Sequence, residues 1–234
     1  MKKTAVLALC LCLLFSSLLC ACAGAAPSAA PGTEGGGPYP PAPEEESNSS
    51  APAQSASGEN PEASLPTVDG NAARIPGLGL RFCFPEPWAP LSPEEVSAVL
   101  DGIPNQDIPG AGEVTAEELE EMKKRVLLFI QPETGDLVQF TVSAREEGQG
   151  FAAYVRETPY DKLSGVLTGL SEIKELTLAG VDFCTFTGEY AEAGMLQRYW
   201  YGEKDGQMLQ ITCSAQDSLG EMEDIVFAAE SIQE

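Results

Sequence analysis

The residue types in this 234-residue chain that could do chemistry are few. There is no histidine, which removes the commonest general base, the commonest metal ligand and the usual pH switch. A reaction would have to rest on carboxylates, Lys, Tyr or Cys. Beyond the first 22 residues the cysteines are Cys83, Cys184 and Cys213, each within a strand-like stretch. A thiol nucleophile needs a base beside it, and an odd number of thiols cannot all pair within one chain. One disulfide is open to them, but buried free thiols are favoured. Near the C-terminal end, Tyr199 and Tyr201 alternate with Trp200 and so point to the other side of a strand, close to Gln197, Gln210 and Thr212. Two readings exist for this tyrosine–glutamine face. Exposed, Tyr199, Tyr201, Gln197 and Gln210 would bind glycan or peptide. Covered by a helix, they would be a sheet face with satisfied hydroxyls, and this is the favoured reading.

Other patterns dissolve on inspection. Glu117 to Glu121 is an acidic run, but Lys123, Lys124 and Arg125 follow it. Acidic first and basic last suits a helix dipole, and the spaced oxygens and glycine turn of a calcium loop are missing. Ser171-Glu172-Ile173-Lys174 spells the S-x-x-K of penicillin-recognising enzymes, which need it at a helix start; here it leads into a strand. Gly77 and Gly79 complete no dinucleotide fingerprint. Neither a cofactor nor a metal is expected.

The N-terminal chemistry is more specific. Lys2 and Lys3 precede an apolar run from Ala5 to Leu19 that is broken only by Ser16 and Ser17, which describes a secretory leader. Its end, Leu19-Cys20-Ala21-Cys22, resembles the bacterial lipobox. The resemblance implies cleavage after Ala21 and a diacylglycerol thioether on Cys22, giving a palmitate-type anchor. Two acyl chains hold a membrane durably where one does not. The alternative is an uncleaved span, since the apolar stretch reaches the minimum bilayer length. The chain thus divides into a leader (1–21), a lipidated tether (22–66) and a globular domain (67–234). The tether is rich in Pro, Ser, Gly, Ala and Glu, has one aromatic residue (Tyr39), and cannot bury enough apolar area to offset its ordering entropy. A coil of this length spans roughly 35–40 Å, enough to lift a domain off a bilayer. Removing Lys2 and Lys3 leaves 11 basic against 36 acidic residues and takes the net charge from −23 to −25. Such a chain repels nucleic acid and anionic headgroups. The expected location is the extracytoplasmic face of a cell membrane; the expected partners are that membrane and a protein or cell-wall component.

The domain reads as α+β. Leu80, Phe82 and Phe84 alternate with Arg81 and Cys83, the period of a half-buried strand. Ser92-Pro93-Glu94-Glu95 opens a helix with a capping box, and Thr115 with Glu118 opens a second. The continuously apolar Val126–Ile130 suits a central strand covered on both faces. Val138–Ala144 returns as its hairpin partner. Phe151 to Glu157 looks helical, Pro159 interrupts, and helical spacing resumes from Tyr160 to Leu167. Strands follow at about Ile173–Leu178, Val181–Glu189 and Met195–Tyr201. Asp205-Gly206 is a two-residue hairpin turn, and Met208–Ser214 returns with Trp200 opposite Ile211. Ser218 and Glu221 suggest a third capping box, starting a helix whose apolar stripe runs from Leu219 to Ile232. This order favours a mainly antiparallel sheet with helices packed on both faces.

From Gly79 to Ile232 the chain resembles the PsbP-like superfamily. The resemblance is carried by Leu80–Phe84 followed by Pro85 and Trp88, by the Val181–Ser214 hairpin with its Asp205-Gly206 turn, and by a closing helix ending in Glu230-Ser231-Ile232. It implies an α/β/α sandwich and a binding or assembly role, and it carries no site residue over. The expected function is a membrane-anchored binding or assembly module. The alternative is a hydrolase of wall or extracellular polymer with two carboxylates about 5–10 Å apart.

Overall fold

A computed structural model describes residues 65–101, 115–145, 149–191 and 193–232. The leader, Cys22, nearly all of the tether and the loop at 102–114 lie outside these residues. The described elements are β1 (Thr67–Val68), β2 (Ala72–Ile75), β3 (Leu80–Cys83), β4 (Ala89–Pro90), α1 (Pro93–Leu100), α2 (Ala116–Arg125), β5 (Val126–Ile130), β6 (Leu137–Ala144), α3 (151–163), β7 (Lys174–Leu178), β8 (Val181–Tyr190), β9 (Met195–Lys204), β10 (Gln207–Ala215), α4 (Gly220–Phe227) and β11 (Glu230–Ser231). Two wholly antiparallel sheets result, ordered β4-β5-β6-β10-β9-β8-β7 and β1-β2-β3-β11. The fold is α+β, with helices on both faces of the large sheet.

Alternation decides which residues go to which face. One face carries Phe129, Val138, Phe140, Phe183, Trp200, Leu209, Ile211 and Cys213, and packs on the small sheet and α4. Phe84 stacks on Phe129 at 4.0 Å between centroids, and Phe82 meets Phe140 at 5.0 Å. Such aromatic pairs add ~1 kcal/mol each beyond their buried area. The opposite face is covered in two places. At one end α1 and α2 pack Val96, Leu100, Leu119 and Met122 on Val126, Leu128 and Leu137. At the other, α3 packs Val155 and Leu163 on Cys184, Phe186, Tyr199 and Tyr201.

Local signals explain most boundaries. Both expected capping boxes form: Ser92 Oγ accepts from the Glu95 N–H and Glu95 Oε2 from the Ser92 N–H, and Thr115 pairs with Glu118 in the same way. Asp205 and Gly206 both have positive φ, 51° and 78°. That left-handed pair makes the tight turn that sets Trp200 opposite Ile211.

Four expectations need correction. Pro159 does not break the helix: Arg156–Tyr160 widens into a π turn between Phe151–Val155 and Asp161–Leu163, so the proline lacks a donor without ending the rod. Val126–Ile130 is not central in the sheet but lies beside the two-residue edge strand β4; it is apolar throughout because α1, α2 and the aromatic cluster cover both its faces. The third capping box is absent, since Glu221 reaches instead to the Trp88 indole N–H at 3.0 Å. The last helix stops at Phe227, and Glu230-Ser231 joins β3 as a strand, with the Ile232 N–H donating to Gly79 O at 2.9 Å.

Candidate functional site

Three adjacent strands carry the same short pattern. β6 has Gln139-Phe140-Thr141, β10 has Gln210-Ile211-Thr212 and β9 has Gln197-Arg198-Tyr199. In each, a glutamine and a hydroxyl two residues on stand on one face while the residue between them points to the aromatic core. The ladder aligns them. Gln139 lies opposite Thr212 and Thr141 opposite Gln210; Thr212 then lies opposite Tyr199, Gln210 opposite Tyr201 and Ser214 opposite Gln197. Amides and hydroxyls therefore alternate like a chequerboard between the patch under α1 and α2 and the patch under α3.

Hydrogen bonds hold the amides in place. Gln139 Nε2 donates to Thr141 Oγ1 at 2.8 Å, Gln210 Nε2 to Thr212 Oγ1 at 3.1 Å and Gln197 Nε2 to Ser214 Oγ at 3.3 Å. The Tyr199 hydroxyl donates to Gln197 Oε1. Phe186 stacks beside both tyrosine rings, at 5.2 Å from Tyr199 and 6.0 Å from Tyr201. Every member of this block is a neutral amide, hydroxyl or phenol.

The four residues weighed as a binding face, Tyr199, Tyr201, Gln197 and Gln210, are thus brought together, but inside the domain. Their exposures are 0, 0, 1 and 3 %, so they form no open surface. Gln139, Thr141, Thr212 and Ser214 belong to the same block. The repeated Q-x-hydroxyl spacing was the sequence signal for the first three of these, visible only once the strands are laid in register. Thr141 alone in the block is partly exposed and marks its rim.

The other face of β9 holds a second polar arrangement. Arg198 Nε donates to Thr185 Oγ1 at 3.1 Å, Arg198 Nη1 pairs with Glu223 Oε1 at 2.5 Å, and the guanidinium carbon lies 4.5 Å from the Trp200 ring centre. The Phe227 ring meets Trp200 in an edge-on arrangement, with 5.2 Å between ring centres. Phe227 and Val68 are the exposed large apolar side chains among the described residues.

The remaining candidates have structural partners. Glu118 caps α2, while Glu120 and Glu121 pair with Lys123 and Lys124 at 2.6 and 2.7 Å. Ser171 Oγ accepts from the Thr187 N–H at 2.9 Å, tying its hydroxyl to β8. Cys184 and Cys213 are buried and Cys83 is exposed, all three as free thiols. Burial pushes the Cys213 thiol up to about 12 and the Cys184 thiol up to about 11. Burial also raises the Asp136 carboxyl, with the nearby charges of Glu221 and Asp217 adding to it. Among the described residues no group of Cys, Asp and Glu is arranged to hold a metal ion, and no helix is long and apolar enough to cross a membrane.

No family model and no curated protein matches this sequence. Solved structures do. A Bacteroides thetaiotaomicron VPI-5482 protein is 12 % identical over 68 % of this chain, with a TM-score of 0.37. The match spans 47 % of that protein, so this chain covers about half its length. The solution structure of the cyanobacterial PsbP protein CyanoP, from Synechocystis sp. PCC 6803, is 11 % identical over 77 % of this chain and 99 % of its own, with a TM-score of 0.39. A Pseudomonas aeruginosa protein of unknown function, PA94, is 15 % identical over 42 % of this chain and 74 % of its own, with a TM-score of 0.34. A PsbP protein is therefore among the structures this chain is similar to. The layer order given above rests on the strand register of this chain itself.

Proposed function

We propose that this protein is a lipid-anchored extracytoplasmic binding or assembly module with a PsbP-like domain. Leu19-Cys20-Ala21-Cys22 after a charged and apolar leader supports the anchor on Cys22. The observation that carries the reading is the order of the parts: a charged and apolar leader ending in Leu19-Cys20-Ala21-Cys22, a stretch rich in Pro, Ser, Gly and Glu, and then one α+β domain.

The location is tested by mass analysis of the native product. Diacylation of Cys22 with loss of residues 1–21 is expected; an unmodified thiol or an intact leader overturns the anchor. The module role is tested by crosslinking in intact cells followed by capture from the membrane fraction. A defined protein or wall partner is expected, lost in a chain lacking the folded domain.

A second reading is a carboxylate-dependent hydrolase. One observation favours it: Asp136, raised by burial, lies within electrostatic reach of Glu221, whose carboxylate accepts from the Trp88 indole. Turnover of wall polymer that disappears in both Asp136→Asn and Glu221→Gln would establish it over the binding role.

A further inference from the structure

Resting on the binding-module reading, we infer that the outer edge of β7 takes an extended, basic segment of a partner protein as an added strand. Among the outer strands of the two sheets, β1, β4 and β11 are two residues long, whereas β7 has five. Its pairing with β8 runs without a bulge from Lys174 opposite Thr185 to Leu178 opposite Val181. Lys174, Glu175 and Thr177 are exposed and Leu176 is half-buried. Among the described residues β8 is the one strand paired with it.

The turn after β7 decides which backbone groups face outward. Ala179 and Gly180, with φ of 48° and 84°, join β7 to β8 as a two-residue turn. Leu178 and Val181 close that turn as a hydrogen-bonded pair. Such pairs alternate along an antiparallel ladder, so Leu176 with Phe183 and Lys174 with Thr185 are hydrogen-bonded as well. The N–H and C=O groups of Glu175 and Thr177 therefore point away from β8. None of these four groups bonds to another backbone group of the described residues. An incoming strand meets two donors and two acceptors at strand spacing, which is what strand addition uses. Leu176, at the margin of the core that packs on the small sheet, adds an apolar contact on one face, while Glu175 and Thr177 lie on the other.

Charge selects the occupant. The chain carries 36 acidic and 13 basic residues, so its field draws in a basic segment and repels an acidic one. The same field opposes a second copy, which would bring its own net charge of −23 to this edge. Beside the edge, Glu175 and Asp182 stand on one face, with Thr177 Oγ1 donating to Asp182 Oδ1 at 2.8 Å, and Lys174 stands on the other. Arg156 is also within electrostatic reach of Cys184, the residue opposite Glu175. The local balance is therefore modest, and the charge of the whole chain sets the sign. A strand that alternates basic and apolar residues fits best, with its basic side toward Glu175 and Asp182 and its apolar side beside Leu176. Exposed charges on an edge strand turn away indiscriminate pairing, and Lys174 and Glu175 narrow the choice in that way.

The experiment adds an acetylated peptide of alternating lysine and valine to the full chain in detergent and follows amide hydrogen exchange. Binding at sub-millimolar Kd is expected, with slower exchange at the Glu175 and Thr177 amides and weaker binding at high salt. A peptide of alternating glutamate and valine should not bind. The lysine–valine peptide methylated on every backbone nitrogen keeps its side chains but loses its donors, and should bind at least about tenfold more weakly. Thr177→Pro removes an outward N–H that β8 does not use, and should weaken binding to a similar extent with circular dichroism unchanged. Should that variant fail to fold, the methylated peptide reads the same backbone pairing on the natural chain. The inference is overturned if the peptide does not bind, if it binds without slowing Glu175 and Thr177, or if the acidic or methylated peptide binds equally well. Self-association of the chain through the same two amides would overturn the choice of occupant. A partner captured in cells equally by the natural chain and by Thr177→Pro would sink the edge assignment and leave the module reading intact.

Discussion

At Gly202 the need for glycine is steric. It lies opposite Phe183 in the ladder, and a Cβ built there would stand 2.5 Å from the Phe183 ring. Gly202→Ala is therefore expected to lower stability by ~1–3 kcal/mol, as overpacking of a filled site does, read as a drop in the denaturant midpoint. The thiols give a second prediction. Cys83 is exposed, while burial raises Cys184 and Cys213 to about 11 and about 12. Since the thiolate is the reactive form, a disulfide reagent at pH 8 should modify one of these three thiols quickly in the native domain and all three after unfolding. Fast native labelling of Cys213 would contradict its burial. Carboxyls split by sign. Asp136 has a folded pKa above its unfolded value, so its favourable contribution is complete below the ordinary carboxyl range and is lost as pH rises through the raised value. Asp136→Asn should raise the melting temperature at pH 7 and give no gain at pH 3. Glu95 behaves oppositely: hydrogen bonds from Ser92 lower it, and its contribution disappears as pH falls through the depressed value.

Elements were legible in the sequence wherever a local rule dominated. The paired signals Ser92/Glu95 and Thr115/Glu118 marked two helix starts correctly, and Asp205-Gly206 fixed a register that placed Trp200 opposite Ile211. Tertiary contacts decided the places where such rules failed. Glu221 had the right spacing for a cap but found a better partner in the Trp88 indole, 133 positions away. Glu230-Ser231 continued an apolar helical stripe yet paired with Arg81 and Leu80 on β3. The two-residue strands β1, β4 and β11 carry too little pattern to be read without their partners. The amide–hydroxyl block was half visible: its residues on β9 and β10 stood out near Trp200, but Gln139 and Thr141 join only through the β6–β10 register. Burial of the block depends on what covers the sheet, which no periodicity specifies. At this scale Ser92→Ala should cost about 1 kcal/mol through loss of the α1 cap, measured by chemical denaturation, whereas Pro159→Ala should shift stability little because the π turn already accommodates the missing donor.

For the whole molecule, charge and the proposed anchor would act in opposite directions. A net charge of −23 keeps the unlipidated chain away from anionic bilayers, so membrane residence would come from acyl chains alone. Cys22→Ser should move the protein from the membrane fraction to the soluble one, and the released form should not float with phosphatidylglycerol vesicles. Retention of Cys22→Ser on membranes would mean another attachment. The small sheet then acquires a mechanical meaning. Its two outer strands are β1 and β11, so if residues 22–66 are the proposed tether, they lead into a strand of two residues that pairs with β2. Thr67 and Val68 face Arg74 and Ala73 in antiparallel pairing around a turn containing Gly70. Tension arriving from the N-terminal side loads those few bonds one after another, as a zipper is opened, instead of shearing them together. On a lipid-anchored chain the first give under drag would therefore be a short lengthening at Thr67–Val68, ahead of the seven-stranded sheet.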